Sequence, residues 1–372
     1  MECIKNNCQF CLLPKLSYQE TIAEKQKQIK GLFPQYQSLI LPMVEMGNPY
    51  YYRHKVTASF KMIKGKLVAG IYEENSHQLI ENKGCMMQHQ LANQIIESTV
   101  QLANKFKMEA YNEDKRQGLL RHIQLRISHT TNDVLVTLVL GEKIFKSRQN
   151  FIKEMMKKHP EIKSVVCNYN FRKTSIVLSD KEEISYGTGA ILDNLLQTKF
   201  LISSQSFYQI NPIQTEKLYQ AVMDYANIGK EDVVLDTYCG IGTMSLIASR
   251  YAKKVIGVEL IPSSVKDANK NKKINQITNC HFIQMDATKY MILTKEKIDI
   301  LIMDPTRSGS TPEFLNAVNR LKPRKVIYVS CNPETQVIDL KLLQKNYKID
   351  VIQGFDLFPF SKHVESLVIL SR

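Results

Sequence analysis

The sequence has 372 residues, more than one hydrophobic core ordinarily serves, and so predicts two or three domains. Its 44% hydrophobic and 23% charged content is ordinary for a globular protein; with no apolar run of membrane-spanning length and no signal-peptide core in Met1-Glu2-Cys3-Ile4-Lys5-Asn6-Asn7, membrane and secreted classes are set aside and a cytoplasmic location is expected. Fifty Lys and Arg against 36 Asp and Glu leave a formal charge of +14, an excess that suits a polyanionic partner or, more blandly, a solvated lysine-rich surface.

The chain opens on Cys3, Cys8 and Cys11, spaced C-x4-C-x2-C, with Cys85 apart in Asn82-Lys83-Gly84-Cys85. In a reducing compartment such thiols are free, catalytic or metal-binding rather than paired in disulfides. Four cysteines can hold an iron–sulfur cluster or a zinc ion, and spacing alone leaves the two comparable. Helical stretches are expected at Gln19 to Leu32 and Gln90 to Lys107. The runs His54 to Phe60, Leu67 to Tyr72 and Asp133 to Leu140 alternate or are β-branched, which predicts an antiparallel sheet with one covered face. A boundary near residue 200 gives an α+β first domain (1–200) and a second domain (201–372). The first 200 residues hold 28 basic and 19 acidic side chains, so a nucleic-acid face is expected there.

From residue 232 the pattern is strand, loop, helix, repeated, which predicts βαβ units and a doubly wound parallel sheet. Strands are expected at Asp232–Asp236, Val255–Val258, His281–Gln284, Ile298–Asp304, Lys325–Val329 and Glu365–Leu370. Between the first strand and its helix lies Asp236-Thr237-Tyr238-Cys239-Gly240-Ile241-Gly242, and Glu259 ends the second strand at ribose-binding distance in sequence. A dinucleotide fingerprint wants a third glycine where Ser245 stands, and no Walker lysine is present, so phosphate-bearing cofactors suit the loop poorly. S-adenosylmethionine carries ribose, adenine and a cationic sulfonium but no phosphate. An acid-flanked glycine turn fits it, with Asp286 placed to receive the adenine amino group.

Asp304-Pro305-Thr306-Arg307 follows the fourth strand, and Cys331 follows the fifth in Ser330-Cys331-Asn332-Pro333. A cysteine at a strand end is as often inert packing as nucleophile. Beside a methyl donor, however, a thiol and a carboxylate are what methylation of a pyrimidine at carbon 5 requires. The thiolate adds to carbon 6 and makes carbon 5 nucleophilic; a base then removes the carbon 5 proton so that the thiol can leave. Glu365 is the expected base, with His363 either a second base or packing. DNA cytosine methylation uses related chemistry but places Pro immediately before the Cys, where this chain has Ser330.

Ser206-Phe207-Tyr208-Gln209-Ile210-Asn211-Pro212, the loop Asp236 to Thr243, Asp304 to Gly309, Ser330 to Pro333 and His363-Val364-Glu365 together resemble the RNA uracil-5-methyltransferases, which make 5-methyluridine. The resemblance spans nearly the whole chain. It implies a class I Rossmann-like methyltransferase domain behind the α+β domain, with Cys331 as nucleophile and Glu365 as base. It also implies that Gln209, Glu259 and Asp304 contact S-adenosylmethionine, Asp304 also near the target base, and that Phe207, Arg121 and His122 face RNA; Asp236, Tyr238, Gly240, Gly242 and Asp286 are expected to complete the donor site, and Arg307 the RNA face. The family reads Asp-Pro-Pro-Arg where this chain has Thr306. Many members carry a 4Fe–4S cluster on three early cysteines and one later one, which favours iron–sulfur over zinc on Cys3, Cys8, Cys11 and Cys85. Radical S-adenosylmethionine enzymes use C-x3-C-x2-C instead. Members with the cysteine cluster resemble ribosomal RNA enzymes, so 23S rRNA is the expected partner, with tRNA methylation or a non-catalytic RNA-binding scaffold as alternatives. No membrane and no obligate protein partner are expected. Ahead of Cys3 there is no room for the small β-barrel RNA-binding domain of some relatives, so RNA recognition is expected to rest on the basic first half and the catalytic face.

Overall fold

The computed structural model describes residues 11–12, 15–73 and 76–372. In chain order, α1 (Tyr18–Leu32), a 3-10 turn (Pro34–Leu39) and β1 (Ile40–Val44) precede β2 (Lys55–Ile63), β3 (Lys66–Tyr72), β4 (Leu79–Ile80), α2 (Gln90–Lys105), β5 (Leu120–Ile127), β6 (Val134–Leu140), α3 (Arg148–Lys158), β7 (Ile162–Tyr169) and β8 (Glu182–Tyr186). A hairpin of β9 (Ala190–Leu195) and β10 (Thr198–Ser203) leads to α4 (Pro212–Ala226), β11 (Val233–Thr237), α5 (Thr243–Ala248), β12 (Lys254–Glu259), α6 (Pro262–Ile274), β13 (Cys280–Gln284) and α7 (Ala287–Leu293). The chain closes with β14 (Ile300–Met303), α8 (Pro312–Leu321), β15 (Lys325–Ser330), α9 (Pro333–Leu343), β16 (Lys348–Phe355) and β17 (Glu365–Ser371).

Two compact units result. The second comprises Cys11–Pro49, Leu195–Phe200 and Ser206–Arg372. A single cut near residue 200 therefore leaves out a return of the early chain: β1 pairs in parallel with β16, so α1 and β1 belong with the second unit. Its eight-stranded sheet runs β1-β16-β17-β15-β14-β11-β12-β13. All strands are parallel except β17, which is antiparallel to both β15 and β16. Val234, Leu235, Val255, Val258, Ile300 to Met303 and Val326 to Val329 are buried, because helices cover such sheets on both faces and make their strands continuously apolar. β1 sits at the sheet edge, where Pro42 can lack an N–H without breaking a ladder.

The other unit holds Tyr50–Asn194 and Leu201–Gln205. Its sheet runs β4-β3-β2-β5-β6-β7-β8 and is antiparallel except for β6 and β7, which α3 connects in parallel. One face packs Val56, Ala58, Ile123, Leu125, Val136 and Leu138 with Ile95, Phe151 and Met155 of α2 and α3. The expectation of a single covered face is corrected here. Every residue of β5 and β6 is buried, and the face opposite the helices carries Ser59, His122, Gln124, Arg126 and Thr137 out of solvent. On β2 and β5 polar side chains on that face preserve the alternation a half-exposed strand would show, whereas β6 carries Leu135 and Val139 there beside Thr137. Among the described residues no helix is long and apolar enough to cross a membrane.

Candidate active site

The carboxyl ends of β11, β12, β13, β14 and β15 meet the amino end of the antiparallel β17, since Ser330 pairs with Ser366 and Phe355 with Glu365. This is the edge where open α/β sheets place ligands. A cavity of about 670 Å³ opens there, lined by Phe207, Gln209, Tyr238, Gly240, Glu259, Asp286, Asp304, Arg307, Cys331 and Glu365 among others. The sequence motifs thus converge on one chamber although they are spread over 160 positions.

Its floor is the glycine loop. Gly242 has φ +83°, and a Cβ there would lie 2.5 Å from Phe282 Cζ, so backbone conformation and space both demand glycine. Tyr238, also left-handed at φ 64°, sets its ring 5.7 Å from that of Phe314. Glu259 holds the loop in place by accepting from Gly240 N at 3.0 Å and Ile261 N at 2.8 Å, and each oxygen keeps a second lone pair for a ribose hydroxyl. Ser245, which broke the dinucleotide fingerprint, has a positive role: its Oγ donates to Asp236 Oδ2 at 2.5 Å. Asp236 is fully buried, and among the described residues its Oδ1 has no hydrogen-bond partner. Asp286 is exposed and caps α7 by accepting from Lys289 N at 2.9 Å.

The acids are held against their charge. Burial pushes Asp236 up to about 7. Burial, then the neighbouring Asp236, raises Asp304 to about 7. Burial and Asp304 push Glu365 well above the carboxylate range. The Cys331 thiol is pushed up to about 11 by burial and the Glu365 and Asp304 carboxyls, against a smaller pull from Arg307. Glu259, Asp286, Asp304 and Glu365 line the cavity against Arg307 as the one lining cation among the described residues. Such a chamber favours a cation without phosphate and fits a sulfonium nucleoside, whose charge relieves the crowded carboxyls.

Hydrogen bonds from α9 fix the reacting strands. Gln336 Nε2 donates to Tyr328 O at 2.9 Å, Ser366 Oγ donates to Gln336 Oε1 at 2.6 Å, and both side chains are fully buried. Asn332 Nδ2 and Thr335 Oγ1 donate to Arg307 O, tying the Asp304 loop to the Cys331 turn. Thr306 is exposed and its carbonyl accepts from Gly309 N at 2.9 Å, closing the turn without the family's second proline. Tyr219, Gln336 and Ser366 are absent from the sequence reading. Tyr219 lines the cavity from α4 near Asp304, Asp236 and Glu365, which together with burial push its phenol up, yet nothing in its local pattern separates it from a core tyrosine.

Other expected residues fall elsewhere. His363 is exposed and lines a second cavity, which Cys331 also lines, whereas Glu365 lines the first. Arg121 is buried in the first unit. It pairs with both oxygens of Glu113 at 2.7 and 2.8 Å and donates to the carbonyls of Asn170, Arg172 and Thr174, which commits its fork to the fold rather than to RNA. His122 points to the opposite face of β5, 2.9 Å from Ser59 Oγ, with its pKa pushed down to about 3 by burial and is therefore neutral. Cys3 and Cys8 lie outside the described residues. Cys11 belongs to the second unit and Cys85 to the first, and among the described residues no three His, Cys, Asp or Glu side chains gather to hold a metal.

Sheet order, glycine loop and acid-lined cavity define a class I, S-adenosylmethionine-dependent methyltransferase. The family model described as tRNA (uracil-5-)-methyltransferase matches residues 17–372. An uncharacterized RNA methyltransferase of Oceanobacillus iheyensis is 36% identical over 98% of this chain and 82% of its own length, and one of Bacillus cereus is 35% identical over 100% and 83%. The crystal structure of the Pyrococcus abyssi tRNA (uracil-54, C5)-methyltransferase with S-adenosyl-L-homocysteine is 25% identical, with a TM-score of 0.81 over 95% of this chain and 84% of that one. The chain belongs to the tRNA (uracil-5-)-methyltransferase family and is an RNA (uracil-5-)-methyltransferase that uses S-adenosylmethionine.

Proposed function

We propose that the protein methylates carbon 5 of a uridine in 23S rRNA, with Cys331 as nucleophile and Glu365 as base. The observation that carries this is the presence of both groups on one cavity wall with Asp304, beside a donor-shaped loop. Gln209, Tyr238, Gly240, Glu259 and Asp286 hold the donor, with Asp236 and Gly242 behind them shaping the loop, and Asp304 stands at the junction with the substrate. When bound, S-adenosylmethionine supplies the methyl group that becomes bonded to carbon 5. As the thiolate, Cys331 Sγ forms the bond to carbon 6, and the carbon 5–carbon 6 electron pair moves to make carbon 5 the nucleophile; Glu365, entering ionised, takes the proton that leaves carbon 5, and the carbon–sulfur bond then breaks to restore the ring double bond and the thiolate. Phe207, 64% exposed and lining the cavity, offers a face on which a base taken out of its stack can rest, and Arg307 of the same lining offers a cation for the strand.

The Cys331→Ala variant is expected to make no 5-methyluridine. Glu365→Gln should lower turnover roughly 10²–10⁴-fold and accumulate a covalent protein–RNA adduct, seen as a slow band in denaturing gels. An active Cys331→Ala enzyme would end the covalent reading. Ribosomal RNA rather than tRNA is supported by the four-cysteine set, which we assign to a 4Fe–4S cluster in preference to zinc from the family resemblance, the spacing alone suiting either. Mapping 5-methyluridine in cells with and without the gene decides the substrate: loss from tRNA alone overturns the rRNA assignment.

A further inference from the structure

Cys331 and Arg307 line a second cavity, of about 520 Å³, whose other walls include Glu24, Gln28, Glu334, Lys362 and His363. The wall is built in advance. Lys25 Nζ donates to Asp356 Oδ1 at 2.5 Å and to Phe358 O at 2.9 Å, while Tyr18 OH donates to Asp356 Oδ2 at 2.8 Å, so α1 pins the segment that leads to Glu365. With Lys25 neutralised by Asp356, the charges left at the cavity among the described residues are Arg307 and Lys362 against Glu24 and Glu334. A bare phosphate has no use for the carboxylates, and an apolar ligand has no use for any of them. A nucleotide uses both: cations for its phosphate, carboxylates for an exocyclic amino group on its base. His363, its ring 6.0 Å from Phe358, adds a face for stacking.

The two cavities meet at the residue that bonds the target. If Cys331 holds carbon 6 of the uridine, the adjoining nucleotide of the strand lies one phosphodiester away, within reach of the second cavity. We propose that this cavity seats a nucleotide next to the target uridine, with a base that carries an exocyclic amino group (adenine, cytosine or guanine). The inference rests on the uridine reading above. It assigns sequence selectivity to α1 and to the Ser361 to Val364 segment, which runs directly into Glu365.

The test uses the full-length protein and transcripts spanning the mapped uridine, with each neighbouring nucleotide replaced in turn by an abasic residue and by uridine. At one neighbour both replacements should raise KM roughly tenfold or more, and the Glu24→Gln/Glu334→Gln double variant should lose most of that discrimination while binding S-adenosylmethionine in calorimetry as the parent does. Lys362→Ala should raise KM for every transcript. Indifference to both neighbours, or discrimination unchanged in the double variant, overturns the proposal. So does a natural site whose two neighbours are both uridine. A transcript with 5-fluorouridine at the target separates the readings: without an adduct on Cys331 the uridine mechanism itself fails, whereas an adduct formed regardless of neighbours sinks only the second cavity.

Discussion

At Cys331 the chemistry needs a thiolate and the surroundings oppose one, since burial and two carboxyls hold the thiol near 11. The reactive form is scarce at neutral pH and grows as pH rises, and any cation entering the chamber lowers the thiol pKa. Alkylation of the Cys331 peptide by iodoacetamide, followed by mass spectrometry, should therefore be slow at pH 7 and climb steadily toward pH 10. At pH 7 the sulfonium of S-adenosylmethionine should speed it, and S-adenosylhomocysteine, which lacks that charge, should not. A flat profile between pH 7 and 10 would contradict the electrostatic account. Burial of Asp304 and Glu365 works in the same direction: carboxyls that resist ionisation ionise at least cost when a cation is present, so the donor prepares nucleophile and base together.

Helix α9 makes the active site a joint between strands. Through Gln336 and Ser366 it ties β15, which ends one residue before Cys331, to β17, which begins at Glu365. Removing the hydroxyl in Ser366→Ala leaves Gln336 Oε1 without its donor in a dry site, so urea unfolding should show a loss of about 1–3 kcal/mol. Turnover should fall more than KM rises, because the strands carry the reacting groups and not the RNA grip. An unchanged kcat would assign the pair to stability alone. The apolar runs of β11, β12, β14 and β15 were legible because burial on both faces leaves a continuous signal, and Cys331 and Glu365 were legible because each sits where such a run stops or starts. Gln336 was not, since a polar residue inside a helix reads as surface until its partner strand is known. Likewise β1 and Asp356 gain their meaning only from contacts some 300 residues away, Ile40 with Ile352 and Lys25 with Asp356, and no local pattern records those.

Over the whole chain, charge and cysteines raise the question the catalytic cavity does not answer, namely what selects the RNA. Twenty-eight basic against 19 acidic residues in the first 200 place most of the excess charge ahead of the methyltransferase motifs, so KM for RNA should rise steeply with salt while KM for S-adenosylmethionine stays nearly flat. The same stretch contains Cys3, Cys8, Cys11 and Cys85, and of the two among the described residues, Cys11 and Cys85, neither lines the donor cavity. Purified without oxygen, the protein should be brown and carry about four iron and four sulfide per chain, and Cys85→Ala should lose both colour and iron. Calorimetry on that variant should find S-adenosylmethionine affinity unchanged, because every residue assigned to the donor belongs to the second unit, whereas methylation of 23S rRNA should fall through a higher KM. Zinc at one per chain would replace the cluster with the alternative metal on the same cysteines, and a metal-free protein of full activity would remove metal from the account of RNA recognition.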